Sequence, residues 1–202
     1  MPLDLTENYI ARRLKEAYQP GVVASTDGYA DLSRNGTLKC AAVLMPLVRR
    51  EGGWHLVFTR RTNDVEHHKG QVSFPGGACE AGETAEQTAL REALEEIGLQ
   101  QADVRILGRL NDVVTITHYR AAPLVGVMPW PYRFRLSTVE VGCVFLIPLM
   151  WLTQHENWEE HLATLDSALC PFPVVIYHEY DGEVVWGATA RMVQNLIKVV
   201  FE

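Results

Sequence analysis

Residues 76–99 read GGACEAGETAEQTALREALEEIGL, and the centre of this stretch decides the fold. Arg91 is followed within five residues by three carboxylates, those of Glu92, Glu95 and Glu96. On a helix, Glu92 and Glu96 are one turn apart and Glu95 lies beside them, so all three are expected to project from one side. The opposite side is apolar and can pack against a core, through Ala89, Leu90, Ala93, Leu94 and Ile97.

Three like charges on one face repel one another, so an isolated helix gains nothing from this arrangement. A hard divalent cation removes the conflict, because Mg²⁺ accepts carboxylate oxygens while it keeps waters and substrate phosphates in its shell. The sequence therefore predicts a metal site at Glu92, Glu95 and Glu96. The alternative is a solvated acidic helix without a ligand.

The flanks of the stretch are typical of a loop that leads into a helix. The run from Phe74 to Gly77 is expected to end a strand, because Pro and two Gly break regular structure and allow close backbone approach to a ligand. Glu83 and Thr84 give the helix an acidic start that suits the helix dipole. Gly98 is the expected C-cap.

The charged and glycine positions together resemble the Nudix box, and the one soft departure is Ala93, where the family usually has a larger aliphatic residue. This resemblance implies an α/β/α sandwich with a mixed β-sheet, a metal-dependent hydrolase of pyrophosphate linkages, and Mg²⁺ or Mn²⁺ as the cofactor. It also implies that the Gly77 carbonyl is an extra metal ligand. The matching residues are Gly77, Glu83, Arg91, Glu92, Glu95, Glu96, Gly98 and Leu99.

Three further segments resemble the coenzyme A pyrophosphatase branch of that family. They are His68 to Gly77, Val139 to Leu149, and Trp186 to Ala190. This implies cleavage of coenzyme A or acyl-coenzyme A to 3′,5′-ADP and (acyl-)4′-phosphopantetheine. The chain departs from the branch at Thr62 and Glu66, where a small residue and an arginine are usual. Glu66 keeps ADP-ribose or another nucleoside diphosphate sugar as the alternative substrate, and a nucleotide-sensing module without hydrolysis is the second alternative.

Pyrophosphate hydrolysis needs positive charge on the phosphate oxygens and a base for water. The base is one of Glu92, Glu95, Glu96 and Glu140, since metal ligation and proton abstraction need the same group. Glu140 stands in or just before an apolar strand, so its carboxylate is expected either at the metal site or at an exposed edge. Arg91 is expected to orient the carboxylates through salt bridges. The candidates for substrate binding are Arg60, Arg61, Lys69 and Gln71.

Composition narrows the class of protein. The 202 residues are 48% hydrophobic and carry a formal net charge of −7, which disfavours a nucleic-acid partner such as a capped RNA. The chain shows no linker or repeat, so one domain over residues 1–202 is expected, and no segment requires a homodimer, although one is compatible. The first ten residues are too polar for a signal peptide, and no apolar run could span a membrane.

The cysteines are scattered and form no CxxC pair, which predicts a reduced, cytoplasmic protein with free thiols and no structural zinc. The positions are Cys40, Cys79, Cys143 and Cys170.

Hydrophobic patterns predict the remaining elements. An amphipathic helix is expected over about residues 4–18, with Asp4 and Glu7 as a capping box. Strands are expected at 39–48, 54–60, 104–111, 113–117, 119–128 and 139–149, with Pro123 at an edge or bend. Residues 152–169 suggest a polar helix or loop. Asp181 and Gly182 predict a hairpin turn, and Gly187 is expected to open the last helix.

Overall fold

A computed structural model describes residues 5–24, 38–62, 70–164 and 172–202 of the chain. The helices in these ranges are α1 (Glu7–Ala17), α2 (Ala85–Ile97), α3 (Leu149–Leu152) and α4 (Gly187–Phe201). The strands are β1 (Lys39–Arg50), β2 (Gly53–Arg61), β3 (Val72–Ser73), β4 (Gly76–Ala78), β5 (Arg105–Arg109), β6 (Val113–Val114), β7 (Tyr119–Val127), β8 (Val141–Pro148), β9 (Trp158–Ala163) and β10 (Phe172–Tyr177).

Strand β1 is the centre of an eight-stranded mixed sheet. One edge of β1 runs parallel to β7, while the other pairs antiparallel with β2 in its second half and with β4 in its first half. Strands β3 and β8 both pair with β2, and strands β5 and β6 both pair with β7. The change of partner from β2 to β4 places the glycines at 76 and 77 against the middle of the sheet. Strands β9 and β10 form a separate two-stranded sheet.

Helices cover both faces of the large sheet, because β1 is apolar on both sides. On one face, Met45 and Leu47 pack in a core with residues of α1 and α4. On the other face, Leu44 and Val48 pack in a second core with residues of α2. The mixed sheet between helical layers confirms the predicted α/β/α sandwich. One domain over residues 1–202 stays a prediction.

The first helix is shorter than expected and begins at a different cap. Thr6 is the N-cap of α1, and its hydroxyl accepts a hydrogen bond from the Tyr9 N–H at 3.2 Å. The predicted box partner Asp4 lies outside the described residues. Helix α1 docks on α4, because the Arg13 Nε donates to the Val199 carbonyl at 2.7 Å.

Two expectations about the strands are wrong and one is confirmed. Pro123 lies inside the sheet, in β7, where it pairs with Val43 of β1. On its other side, β5 pairs with the residues after Pro123 and β6 with those before it, so the missing N–H costs no hydrogen bond to either strand. Part of the segment 152–169, predicted as a polar helix or loop, is the strand β9. Little of β9 is buried, so its sequence lacks the apolar pattern by which a strand is predicted. The hairpin turn is confirmed, with φ of 50° at Asp181 and 84° at Gly182.

The cysteine prediction is wrong for one pair. Cys40 and Cys79 form a disulfide, with their Cα atoms 5.4 Å apart and a sequence separation of 39. Pairing of β1 with β4 brings them opposite each other, which their spacing alone does not reveal. Cys143 is a free thiol, and Cys170 lies outside the described residues. Within the described ranges, none of the helices is long and apolar enough to cross a membrane. The cytoplasmic location stays a prediction.

Candidate active site

Both ends of α2 are fixed by local hydrogen bonds. Thr84 and Gln87 form a reciprocal capping box at its start, and Gly98 ends it in the left-handed conformation. An extended segment at 130–137 then closes the last turn. The Arg135 N–H donates to the Ile97 carbonyl at 2.9 Å, and the Ser137 N–H donates to the Glu96 carbonyl at 2.8 Å. This path leads the chain directly to Glu140.

Glu96 is the buried carboxylate of the site, with only 4% of the residue exposed. Its Oε2 accepts a hydrogen bond from the Gly76 N–H at 3.2 Å, and its Oε1 lies 3.7 Å from an Nη1 atom of Arg61. Burial raises the pKa of Glu96 to about 8, although Arg61 and the Gly76 N–H oppose this rise. Such a carboxyl favours its protonated form unless a stronger cation approaches it.

Glu92 lies one turn away, against Gly77. A Cβ atom added to Gly77 would be 2.5 Å from the Glu92 Oε1, so a larger residue at this position would displace the carboxylate. Burial raises the pKa of Glu92, while the neighbouring Arg91 opposes the rise. The carboxylates of Glu92 and Glu96 therefore both lie against the glycine pair that ends the loop.

Arg91 holds the acidic cluster together through its whole guanidinium group. Its Nε lies 2.8 Å from Glu83, and its Nη1 lies 2.8 Å from Glu92 and 3.2 Å from Glu95. Its Nη2 also donates to the Ala78 carbonyl at 3.2 Å. The bonds from Arg91 lower the pKa of Glu83 to about 2. Glu83 also accepts from the Glu80 N–H and the Thr88 hydroxyl, so it joins the loop to the helix.

Glu140 lies in the turn before β8, next to this cluster. Its carbonyl accepts a hydrogen bond from the Thr62 N–H at 3.0 Å. Its negative charge raises the pKa of both Glu92 and Glu96. No ion pair engages Glu140 within the part of the chain that the structure describes.

The helix does not present its side chains as the spacing predicts. Glu95 is more than half exposed, while Glu96 turns towards the sheet beside the buried Ala93 and Ile97. Leu94, expected in the core, is exposed. The fully buried Ala89 and Ala93 pack in the core with residues of β1.

A divalent metal fits the donors at the inner end of this cluster. Among the described residues, no three His, Cys, Asp or Glu side chains are already gathered around one point, because Arg91 and Arg61 engage the carboxylates. The Glu96 carboxylate nevertheless accepts from the Gly76 N–H, and the Glu92 carboxylate lies against the next residue, Gly77. Carboxylates with a backbone carbonyl are the oxygen donors that hard divalent cations prefer.

The candidates for substrate binding fall in different places. Arg61 is at the cluster beside Glu96, and Gln71 lines a cavity next to it. Arg60 is paired with Glu183 at 2.8 Å instead. Lys69 lies outside the described residues, as does Glu66.

The cavity, of about 440 Å³, is bounded by β4, the turn before β7, β10 and the start of α4. The sequence did not predict most of its lining, because these residues come from seven separate segments of the chain. The signals that could be read were the short motifs at Gln71 and at Trp186 and Gly187, all of which line it. Gly76 and Gly77 form the wall that it shares with the acidic cluster.

The chain is similar to known proteins in sequence and in fold. The NUDIX domain family model matches residues 38–163. A protein of Yersinia enterocolitica called uncharacterized Nudix hydrolase NudL is 32% identical over 170 residues, covering 79% of this chain and 80% of that protein. Its Escherichia coli namesake is 35% identical over 167 residues, covering 77% and 80%. The crystal structure of RenU, a Nudix hydrolase from M. smegmatis, has a TM-score of 0.49 and 20% identity over 56% of this chain and 72% of that one.

Proposed function

The chain belongs to the Nudix hydrolases, which act on pyrophosphate linkages, and from this premise we propose that its substrate is coenzyme A or an acyl-coenzyme A. One observation carries the proposal. Two of the three segments that resemble the coenzyme A branch, at Gln71 and at Trp186 and Gly187, meet in one cavity beside Glu92 and Glu96. The products would be 3′,5′-ADP and 4′-phosphopantetheine, with any acyl group retained on the latter.

Glu92, Glu96 and the Gly77 carbonyl would hold the metal, which we propose is Mg²⁺ or Mn²⁺. When bound, the cation supplies positive charge to the phosphate oxygens. Arg91 keeps Glu92 and Glu95 in place. Arg61, whose Nη1 lies 3.7 Å from the Glu96 Oε1, is near enough to this site to donate to a phosphate.

Glu140 is the base in this scheme, because it is beside the cluster and free of the arginines that hold the other carboxylates. It takes a proton from water as the water oxygen bonds to phosphorus. The bond from that phosphorus to the bridging oxygen breaks, and the bridging oxygen leaves with the second phosphate. A base in this position typically contributes about 10²–10⁴ in rate.

Product analysis by liquid chromatography tests the assignment. The protein is supplied with Mg²⁺ or Mn²⁺ and offered coenzyme A, acetyl-coenzyme A, ADP-ribose and NADH in parallel. Release of 3′,5′-ADP from coenzyme A is the expected result, and chelation with EDTA should abolish it. Preference for ADP-ribose would refute the coenzyme A assignment. It would support the alternative substrate class that Glu66 indicates, the nucleoside diphosphate sugars.

Three substitutions separate the roles of the carboxylates. Glu96→Gln should weaken Mn²⁺ binding in calorimetry and reduce turnover by orders of magnitude. Glu140→Gln should reduce kcat about 10²-fold or more with a smaller effect on Mn²⁺ affinity. Glu86→Gln, an exposed glutamate on the same helix, is the matched control and should change neither. Normal turnover in the first two variants would contradict the scheme.

A further inference from the structure

A second cavity, of about 380 Å³, lies where the last turns of α1 and α4 meet the end of β5. Three of the residues that line it carry a positive charge, namely Arg13 of α1, Arg109 of β5 and Lys198 of α4. None of the described residues in its lining is acidic. We call this cavity, with its three cations, the basic pocket.

The basic pocket is separated from the acidic cluster by the large sheet. Helices α1 and α4 pack on one face of this sheet, whereas α2, which carries Glu92 and Glu96, packs on the other. Helix α4 lines both cavities, the one beside Gly77 at Ala188 and the basic pocket at Lys198, about 15 Å further along its axis. A ligand in the basic pocket is therefore distinct from a substrate held at the acidic cluster.

The cations of the basic pocket are incompletely paired. Arg13 donates through its Nε to a backbone carbonyl of α4 at 2.7 Å, and Arg109 pairs with Asp112. Asp112 also pairs with Arg120 at 2.6 Å, so one carboxylate serves two guanidinium groups. Within the described ranges, neither Arg13 nor Lys198 takes part in an ion pair. The pocket therefore holds more positive charge than its protein neighbours balance.

Helix dipoles account for only part of this excess. The carboxyl ends of α1 and α4 both lie at the pocket and bring about half a negative charge each, which a single cation offsets. Arg13, Arg109, Arg120 and Lys198 bring four positive charges, and Asp112 cancels one of them. About two positive charges remain after the helix ends are counted. A dianion is the ligand that balances them.

Two donors in the lining are buried and have no hydrogen-bond partner in the part of the chain that the structure describes. They are the Arg109 Nε and the Asn195 Nδ2. Buried donors without a partner are rare in folded proteins, because each loses its water and gains nothing in return. An oxyanion between these two side chains supplies the acceptors that both donors lack.

We propose that the basic pocket is a second ligand site of this protein and that it binds a small phosphate monoester. Such a group carries about −1.5 to −2 charge at pH 7, which balances the two remaining positive charges, whereas a carboxylate carries a single charge. The phosphate lies between Arg13, Arg109 and Lys198, and the Asn195 amide turns towards it. Arginine suits this group because its N–H donors pair with two oxygens at once.

The rest of the cavity determines the nature of the ester group. The Tyr18 ring forms one wall, with the Arg109 guanidinium 4.8 Å from its centroid, and Leu110 and Val199 add aliphatic surface. At about 380 Å³, the cavity is near the lower limit of small-molecule sites, which span roughly 300–1,000 Å³. The ester group is therefore expected to be short and largely apolar.

Calorimetry in EDTA tests the proposal, because no metal then holds an anion at Glu92 and Glu96. The probes are inorganic phosphate, propyl phosphate and propyl sulfate. Propyl phosphate should bind roughly tenfold more tightly than inorganic phosphate, since its alkyl group is buried against the apolar wall. Propyl sulfate has the same shape with one charge instead of two, and it should bind about tenfold more weakly than propyl phosphate.

Two substitutions locate the site. Lys198→Gln removes an exposed cation from the pocket, and Lys15→Gln, at an exposed position of α1 outside its lining, is the matched control. Lys198→Gln should weaken the binding of propyl phosphate about tenfold, while Lys15→Gln should change it less than about twofold. Asn195→Leu replaces the unpaired amide by an apolar group of similar size and should also weaken binding about tenfold.

Thermal unfolding of the free proteins separates a ligand contact from a structural role of Asn195. Asn195→Leu should have a Tm equal to or above that of the parent protein, because a buried donor without a partner is removed. A structural asparagine would instead lower the Tm when replaced. Lys198→Gln, at an exposed position, keeps the binding test informative if Asn195→Leu does not fold.

Three outcomes would overturn the proposal. They are no binding of either phosphate to the parent protein at millimolar concentration, equal affinity of the parent protein and Lys198→Gln for propyl phosphate, and equal affinity for propyl phosphate and propyl sulfate. Because the protein is free of metal and no turnover is measured, these results do not depend on the proposed hydrolysis of coenzyme A.

Discussion

Glu96→Gln offers a sharp test of the buried carboxyl in the metal-free protein. Glu96 is almost wholly buried, and its pKa rises from the ordinary value of 4.5 to about 8. Glutamine has nearly the same shape and can still accept from the Gly76 N–H, but it never carries a charge. The substitution therefore removes the ionisation and little else.

The sign and size of the effect follow from proton linkage. Between pH 5 and pH 8 the folded protein keeps a proton on Glu96 that the unfolded chain has released, so the free energy of unfolding falls as pH rises. Each unit of pKa difference corresponds to about 1.4 kcal/mol. Over this range the loss should be roughly 3 kcal/mol in the parent protein and absent in Glu96→Gln.

Urea unfolding in EDTA at pH 5, 6, 7 and 8 measures this difference. Other titrating groups contribute to both proteins and largely cancel, so the gap between the two curves reports Glu96. The free energy of unfolding of Glu96→Gln, relative to that of the parent protein, should rise steadily with pH. The difference between the two proteins should be roughly 3 kcal/mol larger at pH 8 than at pH 5. Glu95→Gln, at a mostly exposed position on the same helix, is the control for loss of a glutamate from this helix. Parallel curves for Glu96→Gln and the parent protein would refute the reasoning.

Two other perturbations have clear expected outcomes. Gly77→Ala should greatly weaken Mn²⁺ binding in calorimetry, because the new Cβ would lie 2.5 Å from the Glu92 Oε1, while Gly53→Ala, whose nearest neighbour is 3.9 Å away, should bind normally. Equal Mn²⁺ affinities would contradict the role of Gly77. Reduction of the Cys40–Cys79 disulfide, which spans 39 residues, should lower the free energy of unfolding by about 4 kcal/mol in urea titrations with and without dithiothreitol. A Cys40→Ser variant should not respond to the reductant, and an unchanged parent protein would show that the disulfide does not constrain the unfolded chain.

Much of the fold is encoded locally and could be read in advance. Helix α2, the turn at Asp181 and Gly182, and the buried strand β1 each depend on neighbours within a few residues, through caps, glycine conformations and apolar runs. Strand β9 could not be read in this way. It is exposed on most of its length, and its pairing with β10 rather than an apolar pattern makes it a strand.

The sequence by itself determined the chemistry of the site. The order of Arg91, Glu92, Glu95 and Glu96 on one helix, after a glycine loop, is sufficient to predict an acidic cluster with an arginine partner, because spacing along a helix fixes which side chains are neighbours.

Only the tertiary structure decided how those groups differ. In the fold, Glu96 is buried and Glu95 is mostly exposed. Arg61, predicted only as a substrate contact, pairs with Glu96. Cys40 and Cys79 form a disulfide. The fold also assembles the cavity beside the acidic cluster from segments far apart in the chain. Burial, ion pairing between strands and cavity shape depend on which distant segments come into contact. Residue spacing along the chain does not predict those contacts.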